Sequence, residues 1–186
     1  MRLSTAAPSL LSGLRLILTP VAGHAILSGG HGRALAVFTL AALTDGVDGW
    51  IARRFRSTTR LGAVLDPVAD KVLLSTIYIC LGVTGEVPLW LVGIVFGRDI
   101  FIVLLAAAGI LFTSLRDFPP SVWGKLSTFL QVAAATVVLV ENTGNVDWLQ
   151  KALPVLYSLV AVAAFWSAGH YLVTGIRRAL TARFSP

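Results

Sequence analysis

The chain has 186 residues, 56% of them hydrophobic and 13% charged, with a mean hydropathy of +0.82 and a formal net charge of +6; a soluble domain carries about 25% charged residues, so this composition belongs in a bilayer. The positive balance does not read as a nucleic-acid surface, because the basic residues sit between and beside apolar runs instead of forming a patch interleaved with aromatics. It fits attraction to anionic lipid headgroups, worth about 1 kcal/mol per basic residue near the surface.

Apolar segments fall at about residues 10–28, 34–52, 61–81, 87–113, 122–140 and 152–175, which predicts an all-α integral membrane protein of six transmembrane helices. Six spans of roughly 20 residues use up about two-thirds of the chain, so residues 1–186 read as one domain. The first run is expected to stay as a span, since residues 1–9 do not resemble the charged leader of a removable signal peptide. The single cysteine, Cys80, lies in the third run and excludes an intramolecular disulfide or a cysteine-rich metal site.

Charge sets the expected orientation. The stretch 53–60 carries four arginines, the stretch 114–125 adds Arg116 and Lys125, and the tail adds Arg177, Arg178 and Arg183. All fall on one side of a six-span chain, while the opposite connections offer only Arg33 and Lys151. The positive-inside rule then puts both termini and the arginine loop on the cytoplasmic side.

Four of the nine acidic residues, Asp45, Asp48, Asp66 and Asp70, lie at the cytoplasmic ends of the second and third predicted helices. Carboxylates at membrane depth are costly unless they pair or bind a cation, so they mark a functional site; the alternative is a scatter of helix-end caps. Spacing favours the site. Asp45 and Asp48 are three apart and Asp66 and Asp70 four apart, which puts each pair on one helix face, and the short connection makes the helices antiparallel neighbours. Four carboxylates converging at one level select hard cations such as Mg²⁺ or Mn²⁺, which commonly bridge phosphate-bearing substrates. Gly49 and Ala52 lie one turn beyond Asp45 and Asp48, so little side-chain bulk stands beside the acids. Gly62 similarly clears the start of the third helix, and Arg53 offers a planar fork suited to a diphosphate. Taken singly, each could be an ordinary packing or interface residue.

Together the residues read Asp45-x-x-Asp48-Gly49-x-x-Ala52-Arg53, then eight residues, then Gly62-x-x-x-Asp66-x-x-x-Asp70. This resembles the full signature of the CDP-alcohol phosphotransferase family, with no departure at any position. The resemblance implies that Asp45, Asp48 and Asp66 hold two divalent cations, Mg²⁺ or Mn²⁺, with Asp70 joining the cluster and serving as general base. It also implies that Asp48, Gly49, Ala52, Arg53 and Gly62 receive the cytidine diphosphate of a CDP-activated lipid, and that the protein is a homodimer in a bacterial or mitochondrial inner membrane.

Outside the signature, Pro8-Ser9-Leu10-Leu11-Ser12-Gly13-Leu14-Arg15 resembles the phosphatidylglycerophosphate synthase and cardiolipin synthase branch, although Ser9 stands where asparagine is usual. Leu65-Asp66-Pro67-Val68-Ala69-Asp70-Lys71 is also typical of that branch and argues against choline, serine and inositol acceptors. Gly97-Arg98-Asp99 and Trp123-Gly124-Lys125-Leu126-Ser127-Thr128 are similar to CMP-forming cardiolipin synthases. The expected reaction moves a phosphatidyl group from CDP-diacylglycerol to phosphatidylglycerol, giving cardiolipin and CMP; glycerol 3-phosphate is the alternative acceptor. Arg15, Arg98 and Lys125 are the candidates for the acceptor's phosphate. Arg98 lies inside an apolar run and must find a partner, and its alternative role is merely to pair locally.

Membrane prenyltransferases also use two aspartate motifs, but theirs are much farther apart and need more helices. A cation transporter should carry its charges nearer the bilayer midplane.

Overall fold

A computed structural model of the chain describes residues 3–55, 60–112, 121–144 and 146–183, with side chains for 13–44, 69–109, 111, 121–144, 146 and 148–178. Six helices follow in order: α1 (Leu3–Leu27), α2 (His31–Phe55), α3 (Arg60–Val83), α4 (Leu89–Phe112), α5 (Val122–Gly144) and α6 (Asp147–Arg183). There is no strand among the described residues. The protein is an integral membrane protein: α4, α5 and α6 each contain a stretch long and apolar enough to cross a bilayer, and α1 contributes a shorter apolar stretch, Gly13–Leu27. These helices expose large side chains such as Leu104, Leu111, Phe129, Val162 and Phe165, each more than 60% accessible, as expected where the surroundings are lipid.

Glycine closes two of the connections. α1 ends on Gly29, whose φ of +74° is in the left-handed region, with Gly30 N donating to Ala25 O and Gly29 N to Ile26 O. α3 ends the same way on Gly85, φ +82°, where Glu86 N donates to Leu81 O. Both are the Schellman arrangement, which satisfies the last carbonyls of a helix and turns the chain. Pro88 then precedes α4, a position where its missing N–H is not needed, and its carbonyl accepts from Leu91 N.

The chain divides into two compact units, Met1–Val87 with Val138–Val146, and Pro88–Val137 with Asp147–Pro186. In the first, α1 packs on both α2 and α3. α1 buries Arg15, Thr19, Ala22 and Ile26, α2 buries Ala34, Phe38 and Ala41, and α3 buries Ala69, Leu73 and Ile77, each set at helical spacing. Gly23 permits the close approach: a Cβ there would come within 3.0 Å of Thr76 Cγ2 and 3.3 Å of Cys80 Sγ. A polar clamp holds the other end of this unit. The Glu86 carboxylate lies 2.6 Å from His31 Nε2 and accepts from Asn142 Nδ2 at 3.2 Å, tying the α3–α4 connection to the start of α2 and the end of α5.

In the second unit α4 packs on α6. Leu91, Val95 and Arg98 form the buried face of α4, and Val160, Ala164 and Ser167 that of α6. α6 runs well beyond the expected 152–175 in both directions. A helix can continue past the apolar stretch once its backbone is formed, and it accommodates Pro154 internally.

Candidate active site

Asp45, Asp48, Gly49, Ala52 and Arg53 fall toward the C-terminal end of α2, and Gly62, Asp66 and Asp70 toward the N-terminal end of α3. Unbroken helix over both stretches keeps each aspartate pair at the spacing that shares a face. Of these residues only Asp70 has a described side chain; the side chains of Asp45, Asp48, Ala52, Arg53 and Asp66, and with them the expected convergence of four carboxylates, lie outside the described residues. No group of three or more potential metal ligands gathers among the described residues.

Around Asp70 the geometry is specific. Ala69 is fully buried, while the Asp70 carboxylate is 46% exposed. Its Oδ1 accepts from Nη1 of Arg15, a side chain only 1% exposed on the facing side of α1. Thr19 Oγ1 donates to the Arg15 carbonyl at 2.9 Å, one turn further along. A buried guanidinium has to be paired, and the first carboxylate in the sequence is thirty residues beyond Arg15, at Asp45, so the pairing needs a second helix. The sequence marks both residues as functional; their contact depends on how α1 packs against α3.

Arg98 and Lys125 belong to the second unit. Arg98 is 8% exposed and does pair locally: Nη1 donates to Asp99 Oδ1 at 2.6 Å. Nη2 donates to Ser167 Oγ at 2.8 Å and, more weakly, to Gly124 O at 3.4 Å. Among the described residues its solvent-shielded Nε–H has no hydrogen-bond partner. Gly124 makes room here, since a Cβ would crowd Arg98 Nη2 at 3.3 Å and Tyr171 Oη at 3.0 Å. Ser121 caps α5, its Oγ accepting from Trp123 N at 3.2 Å, and its own N–H donates to Tyr171 Oη at 2.8 Å. The start of α5 is thereby fixed to α6 beside Arg98, with Lys125 exposed on the next residue. Ser167 and Tyr171 are the supporting residues that sequence reading passed over. Their four-residue spacing within an apolar span was the available signal.

Comparison with known proteins places these features in context. The profile of the CDP-alcohol phosphatidyltransferase family matches residues 5–173. A probable cardiolipin synthase (CMP-forming) of Drosophila melanogaster is 35% identical over 141 residues, which is 74% of this chain and 43% of that protein. A probable phosphatidylglycerophosphate synthase of Mycobacterium tuberculosis is 34% identical over 143 residues, 73% of this chain and 66% of that protein. A putative cardiolipin synthase of Mycobacterium bovis is 34% identical over 173 residues, 91% of this chain and 75% of that protein. The chain thus spans less than half of the Drosophila protein and about two-thirds of the M. tuberculosis synthase.

Proposed function

The chain belongs to the CDP-alcohol phosphatidyltransferase family, and from that premise we propose that it transfers a phosphatidyl group from CDP-diacylglycerol to phosphatidylglycerol, forming cardiolipin and CMP. The observation that carries this reading is the complete aspartate signature on α2 and α3, with Asp70 oriented by the buried Arg15. Residues 1–186 act as one catalytic domain in a homodimer, with both termini and the aspartates on the arginine-rich, cytoplasmic side.

Asp45, Asp48, Asp66 and Asp70 would hold two divalent cations. An all-aspartate donor set fits hard ions such as Mg²⁺ or Mn²⁺, and the half-exposed Asp70 carboxylate fits a group that meets both solvent and ligand. When bound, the cations supply charge stabilisation for the diphosphate and the departing phosphate. The chain's own residues do the rest. Gly49, Ala52 and Gly62 leave the cytidine diphosphate room near the backbone, and Arg53 steadies its phosphates. Asp70 accepts the proton of the acceptor hydroxyl, whose oxygen attacks the phosphorus carrying the diacylglycerol while the bond to CMP breaks. Arg98 and Lys125 are our candidates for the acceptor's phosphate, while the guanidinium of Arg15 is buried against Asp70 and orients that carboxylate.

Glycerol 3-phosphate is the second reading, favoured by the similarity to the mycobacterial phosphatidylglycerophosphate synthase. Purified protein given CDP-diacylglycerol with each acceptor in parallel separates the two: cardiolipin with matching CMP release is expected, and phosphatidylglycerophosphate as main product would replace the first reading with the second.

A further inference from the structure

The ion pair of Arg98 and Asp99 lies within the second unit, where α4 meets the start of α5 and the middle of α6. The guanidinium is held from three sides: Nη1 donates to Asp99 Oδ1 at 2.6 Å, and Nη2 to Ser167 Oγ at 2.8 Å and to Gly124 O at 3.4 Å. The Arg98 side chain is 7% exposed and that of Asp99 19%, so the carboxylate is the more open member of the pair. Lys125 follows Gly124 directly and is exposed.

These groups set a local charge balance. Arg98 and Lys125 bring two positive charges and Asp99 one negative, and His170, whose Nδ1 lies 3.2 Å from Ser121 Oγ, counts as neutral in the formal charge. One positive charge is left over. A phosphodiester carries a single negative charge and balances it. A phosphomonoester carries about −1.5 to −2 at neutral pH and leaves an uncompensated negative charge beside an apolar helix bundle, which is costly. It also meets the like charge of Asp99. Discrimination between related ligands is commonly built from such a repulsive element.

We propose that Asp99 sets the acceptor preference: by neutralising Arg98 it suits this end of the site to a phosphodiester monoanion and turns it against a phosphomonoester dianion. The proposal rests on the reading that Arg98 and Lys125 face the acceptor's phosphate, and deepens it by naming the group that disfavours glycerol 3-phosphate.

Glycerol 3-phosphate and its methyl ester, a phosphodiester, are probes without acyl chains that differ by one methyl group and one ionisable oxygen. Their inhibition constants against acceptor use are compared in the purified wild type, Asp99→Asn and Asp99→Glu, with CMP release as the signal. Asp99→Asn keeps an oxygen that accepts from Arg98 Nη1 and removes only the charge. Its preference should move about tenfold toward the monoester, the size of one screened charge–charge interaction near a protein surface. Asp99→Glu keeps the charge and should keep the wild-type ratio. Asp99→Ser repeats the neutral substitution, and thermal unfolding verifies the fold of each variant. A ratio unmoved in the folded neutral variants, or glycerol 3-phosphate that inhibits neither of them, overturns the proposal. So does a glutamate variant that moves as far as the asparagine, since geometry and not charge would then decide. A wild type that forms phosphatidylglycerophosphate, with a ratio that still moves in Asp99→Asn, removes the acceptor reading and upholds the role of Asp99. Cardiolipin as the product with an unmoved ratio does the reverse.

Discussion

Arg15 on α1 and Asp70 on α3, 55 positions apart in the chain, form an ion pair whose two ends sit in different surroundings: the guanidinium is 1% exposed and the carboxylate 46%. The Arg15 guanidinium is shielded from water, whereas the carboxylate is also reached by solvent. The pair both fastens α1 to α3 and fixes the direction in which Asp70 presents its oxygens.

Asp70→Asn should abolish transfer without unfolding the protein. The amide oxygen still accepts from Arg15 Nη1, so the buried guanidinium stays satisfied, while the proton acceptor is gone. CMP release should fall to background, and CDP-diacylglycerol retained in Mg²⁺ should be largely preserved. Substantial CMP formation would remove Asp70 as the base.

The asymmetry of burial predicts unequal stability losses. Asp70→Ala removes an acceptor from a buried guanidinium and should cost about 1.5–3 kcal/mol, the size of a lost hydrogen bond to a charged group. Arg15→Met leaves a carboxylate that water can reach, and should cost distinctly less. Unfolding titrations in mixed micelles compare the two, and equal losses would show that burial of Arg15 is not what decides.

The limits of the sequence are visible in these same residues. Helix number and order followed from the apolar runs alone; that Gly29, Gly85 and Pro88 shape two of the connections is a local requirement of left-handed φ and a missing N–H that the structure adds. The ends of α6 were misjudged, since hydropathy reports where lipid begins and not where hydrogen-bonded helix stops. Asp70 was singled out by spacing and Arg15 by resemblance. Their pairing was not, and neither was the support of Arg98 by Ser167, since both arise from packing between helices distant in sequence.

Glu86→Ala should loosen the first unit. It removes the acceptor shared by His31 and Asn142 at 2.6 and 3.2 Å, both only partly exposed. Asn142 Nδ2 keeps its bond to the Val138 carbonyl at 2.9 Å, so the loss is that of two contacts to a charged acceptor at partly exposed groups, about 1–2 kcal/mol. A lower unfolding midpoint is expected, with residual transfer retained below it. An unchanged midpoint would show that the clamp contributes nothing.

Chelation provides a direct check on the aspartate cluster. Activity should vanish in excess EDTA and return with Mg²⁺ or Mn²⁺, because four carboxylates without cations would repel a diphosphate. Full turnover in chelator would exclude the metal mechanism.

Arg98 and Lys125 separate acceptor from donor. If they receive the acceptor's phosphate, Arg98→Ala and Lys125→Ala should each lower acceptor efficiency by about 10- to 150-fold, equivalent to a lost charge-assisted contact of roughly 1.5–3 kcal/mol. CDP-diacylglycerol should be affected less, since its diphosphate has Arg53 and the proposed cations. Arg98→Lys makes the test sharper. It keeps the charge but cannot present a planar fork to Asp99, Ser167 and the Gly124 carbonyl together, so its efficiency should lie between wild type and alanine. Ser167→Ala leaves the charge in place and removes only one orienting contact, predicting a smaller rise in acceptor KM than Arg98→Ala at nearly unchanged kcat. Parallel losses for donor and acceptor across this series would assign Arg98 to holding the fold and withdraw it from the acceptor site.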